Sequence, residues 1–208
     1  MARPRRGAPQ RCGLRYSIML ARARPRLLFA RNFLANPRRV GSVIPSSPRL
    51  VKRLLGHTDW QKIRVAVEYG PGTGCVTRAL LARLGPDARL FAFEINGQFV
   101  DYLRREITDP RLTVVAASAE TVGAALAAAG IDHADIAVSS LPFSIMPVAV
   151  RQAIVHATAD ILAPGARLVG YQYSTTWLRE LRHVFRHVTV QLEPRNWPPA
   201  FVFTARRD

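Results

Sequence analysis

Acidic residues are missing from the first 58 positions of this 208-residue chain, and all 14 Asp and Glu lie beyond Thr58. The same stretch carries 14 of the 30 Lys and Arg, from Arg3 to Arg53. A strongly basic arm therefore precedes a nearly neutral body with 16 basic and 14 acidic side chains. Such an arm seeks polyanions, either nucleic-acid phosphates or an anionic membrane surface. Cysteine is scarce: Cys12 and Cys75 are the only two. They are too few for a disulfide framework and read as reduced thiols of a cytoplasmic protein. Long apolar runs are lacking, and none approaches the roughly 18–20 residues that span a bilayer. No histidine stands at metal-ligand spacing from a cysteine or carboxylate, so no metal is expected. What is present is ordinary for a folded domain: 49% hydrophobic and 21% charged residues, enough to bury a core.

Residues 1–11 are rich in Arg, Pro and Gly and read as a disordered basic tail. Residues 12–58 read as a basic amphipathic helical arm and the segment leading into the domain, with the domain itself at 59–208. Arg15, Arg22 and Arg26 share one helical face and Arg24 and Arg31 another, around apolar positions that include Leu27 and Phe29. Pro25 kinks any helix here. Arginine heads around an apolar stripe suit a helix lying in a membrane interface, so these seven residues are the expected membrane contacts. An Arg-rich, acid-free terminus also fits a mitochondrial transit peptide, but from Asn32 onward the chain reads as part of the fold. A short helix is expected from Pro48 to Leu55, capped by Ser46 or Ser47.

A regular alternation follows. Strand patterns at 64–69, 90–94, 112–116, 135–139 and 167–173 alternate with helix patterns at 76–84, 97–106, 120–129, 148–162 and 176–185. Five strand–helix units imply a parallel sheet with helices on both faces. The last two strands, 188–192 and 201–205, have no helix between them and must form an antiparallel hairpin. The expected fold is α/β: a Rossmann-like seven-stranded sheet, parallel except for the last strand.

The first strand–helix turn reads Glu68-Tyr-Gly70-Pro-Gly72-Thr-Gly74. Glycines at alternate positions let the backbone turn tightly and approach a ligand at a helix N-terminus. The third glycine comes one residue too early for the dinucleotide fingerprint. A carboxylate at Glu68 would repel a phosphate but favours an ammonium or sulfonium. Glu94 ends the second strand, 20 residues after Gly74, where an acid typically takes the two ribose hydroxyls. Together they describe a nucleoside with a cationic tail.

From residue 64 to 205 the chain resembles the class I S-adenosylmethionine-dependent methyltransferases. The resemblance implies that Glu68, Gly70, Gly72 and Gly74 hold the methionine part of the cofactor and that Glu94 holds its ribose. It implies that Ser118 and Ala119, after the third strand, contact the adenine, and that Ser139 borders the cofactor. Many members carry Asp where Ser118 stands. The stretch Ser139-Ser140-Leu141-Pro142-Phe143 resembles the N-L-P-Y or D-P-P-Y motif of amino methyltransferases. Carried over, Ser140, Leu141, Pro142 and Phe143 form the catalytic motif: polar acceptors orient the amine and the aromatic ring covers it. Ser140 replaces the usual Asn or Asp. Tyr171 and Tyr173 share one face of the fifth strand and are candidate walls of the acceptor pocket.

Two subfamilies combine such a motif with a basic surface. Asn32-Phe33-Leu34 followed by Gly41-Ser42-Val43-Ile44-Pro45-Ser46-Ser47 resembles the lead-in of the bacterial phospholipid N-methyltransferases, and this places Ser46 and Ser47 at the substrate. The ribosomal RNA adenine dimethyltransferases share only the Asn-Phe-Leu part. They also carry a helical domain after the seventh strand, for which this sequence leaves no room before Asp208. The expectation is a cytoplasmic, peripherally membrane-associated enzyme that methylates phosphatidylethanolamine and its methylated derivatives toward phosphatidylcholine, leaving S-adenosylhomocysteine. Its partners are an anionic membrane and the phospholipid, with nucleic acid less favoured. The alternatives are an rRNA adenine N6-methyltransferase or a small-molecule amine methyltransferase. No residue is assigned as general base.

Overall fold

The computed structural model describes residues 47–56 and 58–208. Seven strands form one sheet in the order β3-β2-β1-β4-β5-β7-β6. The strands are β1 (Val65–Tyr69), β2 (Arg89–Phe93), β3 (Leu112–Val115), β4 (Ala134–Ser139), β5 (Leu162–Gln172), β6 (His187–Glu193) and β7 (Ala200–Arg206). Strand β7 lies between β5 and β6 and runs antiparallel to both, while the pairings among β1 to β5 are parallel. The helices are α1 (Pro48–Leu55), α2 (Cys75–Leu81), α3 (Gly97–Glu106), α4 (Val122–Ala128), α5 (Val148–Ile161) and α6 (Leu178–Val184). This is the seven-stranded architecture that the alternation of patterns predicts.

The central strands are covered on both faces, and they read as nearly unbroken apolar runs for that reason. Alternate side chains serve two cores. Ala66, Ile136, Val138 and Val169 meet Leu50 and Leu54 of α1 and Val76 and Leu80 of α2. Val67, Phe91, Ala137 and Leu168 meet Leu126 of α4, Ile154 and Val155 of α5 and Leu181 of α6.

Helix α1 starts at Pro48 because the Ser47 hydroxyl accepts from the Leu50 N–H at 3.1 Å, while the Pro at N1 has no N–H to satisfy. Its Leu50, Val51, Leu54 and Leu55 are buried against the sheet. The boundary expected between residues 58 and 59 therefore falls inside the packed unit, which already includes Ser47. The expected arm contacts Arg15, Arg22, Arg24, Arg26, Leu27, Phe29 and Arg31, and the substrate candidate Ser46, lie outside the described residues.

Two boundaries differ for physical reasons. Strand β5 starts at Leu162 and runs through Pro164-Gly165, where the dipeptide predicts a break. The pairing with β4 jumps from Ala134–Leu162 to Ile136–Arg167, so the extra residues bulge out of the ladder. Gly165, at φ +78°, donates to the Arg207 carbonyl at 3.1 Å and keeps the bulge tied to the chain's end. The expected helix over 120–129 opens instead as a 3-10 turn, Ala119–Thr121, because the Thr121 N–H and hydroxyl both turn back to the Ser118 carbonyl.

Candidate active site

The carboxyl ends of β1, β2, β3 and β4 bring together the glycine turn, Glu94, the 117–120 segment and the Ser139–Phe143 loop. The turn follows β1. Gly70, Gly72 and Gly74 stand at φ +70°, +54° and +76°, backbone that side chains with a Cβ rarely adopt. Gly70 donates to the Phe93 carbonyl at 3.0 Å, anchoring the turn to the end of β2. A Cβ on Gly74 would meet Leu103 and Ile107 side chains at 2.8–2.9 Å. Arg78, one turn into α2, donates to the carbonyls of Thr73 and Gly74 at 2.9 and 3.2 Å and holds the turn from below.

Two carboxyl groups sit under this turn. Glu94 is buried and accepts from the N–H of Gly72 at 3.1 Å and of Asn96 at 2.9 Å. Burial pushes its carboxyl above the ordinary value, against the pull of those N–H groups. Glu68 points to the other side of β1 from Val67 and Tyr69, toward Thr77 of α2, and is fully buried. Neither of its oxygens completes a hydrogen bond of good geometry. Burial pushes it up to about 8, partly offset by Thr77 and reinforced by the charge of Glu94. Two adjacent carboxyl groups that resist ionisation, one of them without hydrogen-bond partners, form a cradle that a positive ligand relieves and an anionic one worsens. The cradle fits the sulfonium and ammonium of S-adenosylmethionine and does not fit a pyrophosphate. Glu94, just past the end of β2, is the residue expected at the ribose hydroxyls. Past β3, Ser118 is half-buried and Ala119 buried, next in line along the sheet for an adenine, and Glu120 is exposed.

The Ser139–Phe143 loop touches the glycine turn. A Cβ on Gly70 would lie 3.0 Å from the Leu141 Cδ2. Three bonds to distant residues pin the loop. Ser140 donates its N–H to the Tyr69 carbonyl at 2.9 Å. Gln172, buried at the end of β5, donates its amide to the Leu141 carbonyl at 2.6 Å. Arg151 of α5 donates to the Phe143 carbonyl at 2.7 Å and is itself paired with Glu180 of α6. The Ser139 hydroxyl accepts from the Leu141 N–H at 3.3 Å, so it shapes the loop rather than standing free. The Ser140 hydroxyl is buried with no partner. It is the unclaimed polar atom of the loop, and Pro142 is half-buried beside it.

Two expected placements are corrected. The Phe143 ring has no exposed face; it is fully buried, 6.2 Å from the Trp177 ring and 6.5 Å from that of Phe203. It belongs to the core beneath the loop, because its ring, that of Trp177 just before α6 and that of Phe203 of β7 converge there. Tyr171 is likewise a core residue, packed with Val169 and Val202. Tyr173 stands edge-on to it at 5.9 Å and alone of the pair reaches the surface. Ser47 is at this end of the sheet too, donating its hydroxyl to Asn196 Oδ1 at 2.8 Å in the β6–β7 loop.

Gln172, Arg151 and Tyr69 are positioning residues that the motifs do not single out. Their signal in the sequence is a polar residue where burial is expected: Gln172 within Gly-Tyr-Gln-Tyr, and Arg151 inside Val-Ala-Val-Arg-Gln-Ala-Ile-Val.

Comparisons with known proteins identify the family and the fold. A family model described as "Methyltransferase domain" matches residues 66–165. Ornithine lipid N-methyltransferase from Singulisphaera acidiphila is 30% identical over 181 residues, covering 86% of this chain and 94% of that protein. Among solved structures, the N-methyltransferase NodS from Bradyrhizobium japonicum WM9, in complex with S-adenosyl-L-homocysteine, superposes with a TM-score of 0.62 at 12% identity, over 85% of this chain and 98% of that one. Precorrin-6y C5,15-methyltransferase from Geobacter metallireducens GS-15 gives a TM-score of 0.61 at 16% identity, over 78% and 90% of the two chains. At these identities the solved structures speak to the fold.

Proposed function

The chain belongs to the class I S-adenosylmethionine-dependent methyltransferases, and on that footing we propose that it methylates the amine of a membrane lipid, phosphatidylethanolamine and its methylated derivatives. The cofactor supplies an electrophilic methyl group on a sulfonium sulfur. Glu68, Glu94 and the three glycines of the turn hold it, and the chain's remaining task is to present a nitrogen lone pair.

The observation that carries the reading is the Ser140 hydroxyl: buried, unpartnered, and part of a loop that touches the turn through Leu141 and Gly70. An amine N–H would satisfy this hydroxyl, and a donated hydrogen bond fixes the direction of the lone pair. The Leu141 carbonyl already accepts from the Gln172 amide at 2.6 Å and from the Phe143 N–H at 3.0 Å, so both its lone pairs are used and the Ser140 hydroxyl is left as the acceptor. The pinned loop makes the acceptor site rigid before substrate arrives, which lowers the entropic cost of alignment. The lipid part of the reading is supported by the identity to an ornithine lipid N-methyltransferase over most of both chains.

That relative favours a second reading within the same class, in which the acceptor is the free amine of an ornithine lipid. Both substrates present a primary amine from a bilayer. The test is purified full-length protein with methyl-labelled S-adenosylmethionine and three acceptors in parallel: vesicles with phosphatidylethanolamine, vesicles with ornithine lipid, and undermethylated ribosomal RNA. Label in phosphatidylethanolamine is the expected result. Label only in the ornithine lipid moves the assignment to the second reading, and label only in RNA overturns both.

A further inference from the structure

We infer that the rim formed by the carboxyl ends of the strands is itself the surface that docks on an anionic bilayer, so that the active site opens directly onto the lipid headgroups. The inference rests on the lipid-methylation reading and adds where and how the membrane is met.

The first observation is where the exposed large apolar side chains lie. Among the described residues they are Ile95, Ile145, Val148, Tyr173, Leu192 and Trp197. Ile95 directly follows Glu94. Ile145 and Val148 follow the acceptor loop after β4, Tyr173 follows β5, Leu192 is the penultimate residue of β6, and Trp197 is in the β6–β7 loop. All six are at the carboxyl ends of parallel strands, and none is at the opposite edge. Trp197, at 84% exposed, and Ile95, at 70%, stand almost wholly in solvent. Single exposed apolar residues are ordinary; a ring of them around one opening marks an interaction surface. Trp in particular favours the boundary between headgroups and hydrocarbon.

The second observation is charge. Beside this rim, α1 and the β6–β7 loop enclose a cleft of about 720 Å³ that includes Arg49, Lys52, Arg53 and Arg195. Arg53 is paired with Glu193 at 2.7 Å. Arg49, Lys52 and Arg195 have no acidic side chain against them and are exposed. The Ser47–Asn196 bond ties the start of α1 to this loop, so the cations and Trp197 lie on neighbouring, connected segments. Of the body's acids, Glu193 is held by Arg53 in this cleft and Glu180 by Arg151, and several others lie at the opposite edge. Asp59, Asp87, Asp109 and Asp135 precede or open strands, at the amino-end edge, and Asp208 follows antiparallel β7 to the same edge. Exposed Glu120 and Asp101 are on the rim's far side, toward β3.

An apolar crown flanked by exposed cations without acidic partners is complementary to an anionic bilayer. Basic residues near such a surface are attracted to it, and the apolar tips enter the boundary region. Nucleic acid would use the cations but gains little from isoleucine and valine on the same face.

The test uses the full chain and the fluorescence of Trp197. The other two tryptophans, Trp60 and Trp177, are buried, so a change on adding vesicles reports Trp197. Vesicles of mixed zwitterionic and anionic phospholipid are prepared with brominated acyl chains, whose bromines quench indole at the headgroup boundary. The expected result is a blue shift and quenching that disappear in Trp197→Ser and fall at least threefold in titration for Arg49→Glu/Arg195→Glu, with S-adenosylmethionine affinity and melting temperature unchanged in both variants. If the protein sediments with the vesicles while Trp197 stays unquenched, docking is by the basic arm alone and the inference is overturned. Trp197 quenched by RNA but not by vesicles overturns it as well. Activity on detergent-dispersed phosphatidylethanolamine and ornithine lipid separates the two claims. Lipid methylated in micelles with Trp197 unquenched on vesicles sinks only the docking face. No lipid methylated in either form sinks the lipid reading.

Discussion

Gly70 and Leu141 meet so closely that a single carbon added to the glycine would lie 3.0 Å from the Leu141 Cδ2. The glycine turn and the Ser139–Phe143 loop therefore share one close contact. Gly70 is also at φ +70°, where an L-residue costs about 1–2 kcal/mol. Gly70→Ala is expected to lower the melting temperature by several degrees and to weaken S-adenosylmethionine binding at least tenfold. Calorimetric titration of the cofactor checks it, and unchanged affinity would mean that the turn does not carry the cofactor.

Glu94 has two tasks in the structure. It holds the N–H groups of Gly72 and Asn96, and it stands where the ribose is expected. Glu94→Ala leaves both donors without their partner, at a cost of about 1–3 kcal/mol each where water cannot replace it. Loss of both stability and cofactor affinity is expected. Gly72 and Asn96 donate to different oxygens of Glu94, so Glu94→Gln keeps the volume and one of the two acceptors and should recover part of the stability while affinity stays low. Recovery of both would assign Glu94 to the turn alone.

The Glu68 carboxyl, pushed up to about 8 by burial, makes the unliganded protein pH-sensitive in a definite direction. The folded protein keeps a proton that the unfolded chain gives up near 4.5. Below that pH the group takes nothing from stability. Between about 4.5 and 8 stability falls as pH rises, because only the unfolded chain ionises freely. Glu68→Gln removes this slope. Denaturant unfolding of both proteins at pH 5, 6.5 and 8 should show the variant gaining on the parent as pH rises. Parallel pH dependences would mean that Glu68 ionises as easily in the fold as outside it.

The sheet was legible because its strands are buried on both faces and read as apolar runs cut by Gly, Pro and helix patterns. The cofactor turn was legible because positive φ demands glycine, which leaves its mark at Gly70, Gly72 and Gly74. The acceptor loop was legible only in part. Its motif is local, but what fixes it comes from Tyr69, Arg151 and Gln172 on three other elements, and no spacing rule connects them. The direction of Phe143 was not legible at all, since it depends on Trp177, just before α6, and on Phe203 of β7. Pro164-Gly165 misled because a bulge, like a loop end, needs a residue of positive φ.

Gln172 tests whether the loop must be held to work. Its amide donates to the Leu141 carbonyl at 2.6 Å. Gln172→Leu keeps much of the volume and removes one of the two donors to that carbonyl, which retains the Phe143 N–H at 3.0 Å, with a stability loss of about 0.5–1.5 kcal/mol. A positioning role predicts a fall in kcat of tenfold or more with S-adenosylmethionine affinity unchanged. Gln172→Glu can accept but no longer donates when ionised, so it should be impaired at neutral pH and partly recover as pH falls and the carboxyl gains a proton. A structural role alone would lower stability in both variants and leave kcat and its pH profile as in the parent.

Phe143 separates two readings of the aromatic in the acceptor motif. If its ring covered the amine, replacing it would mainly cost activity. As placed, it is fully buried with Trp177 and Phe203, and Phe143→Ala opens a cavity that costs about 3–5 kcal/mol. A marked drop in melting temperature is therefore expected, with kcat/KM falling because the loop above the cavity loses its floor. Phe143→Leu fills most of the space and cannot act as an aromatic surface. It should restore the stability and, with it, most of the activity. Activity that stays lost in Phe143→Leu while the melting temperature returns would place the ring at the amine after all, reached by a movement of the loop on substrate binding.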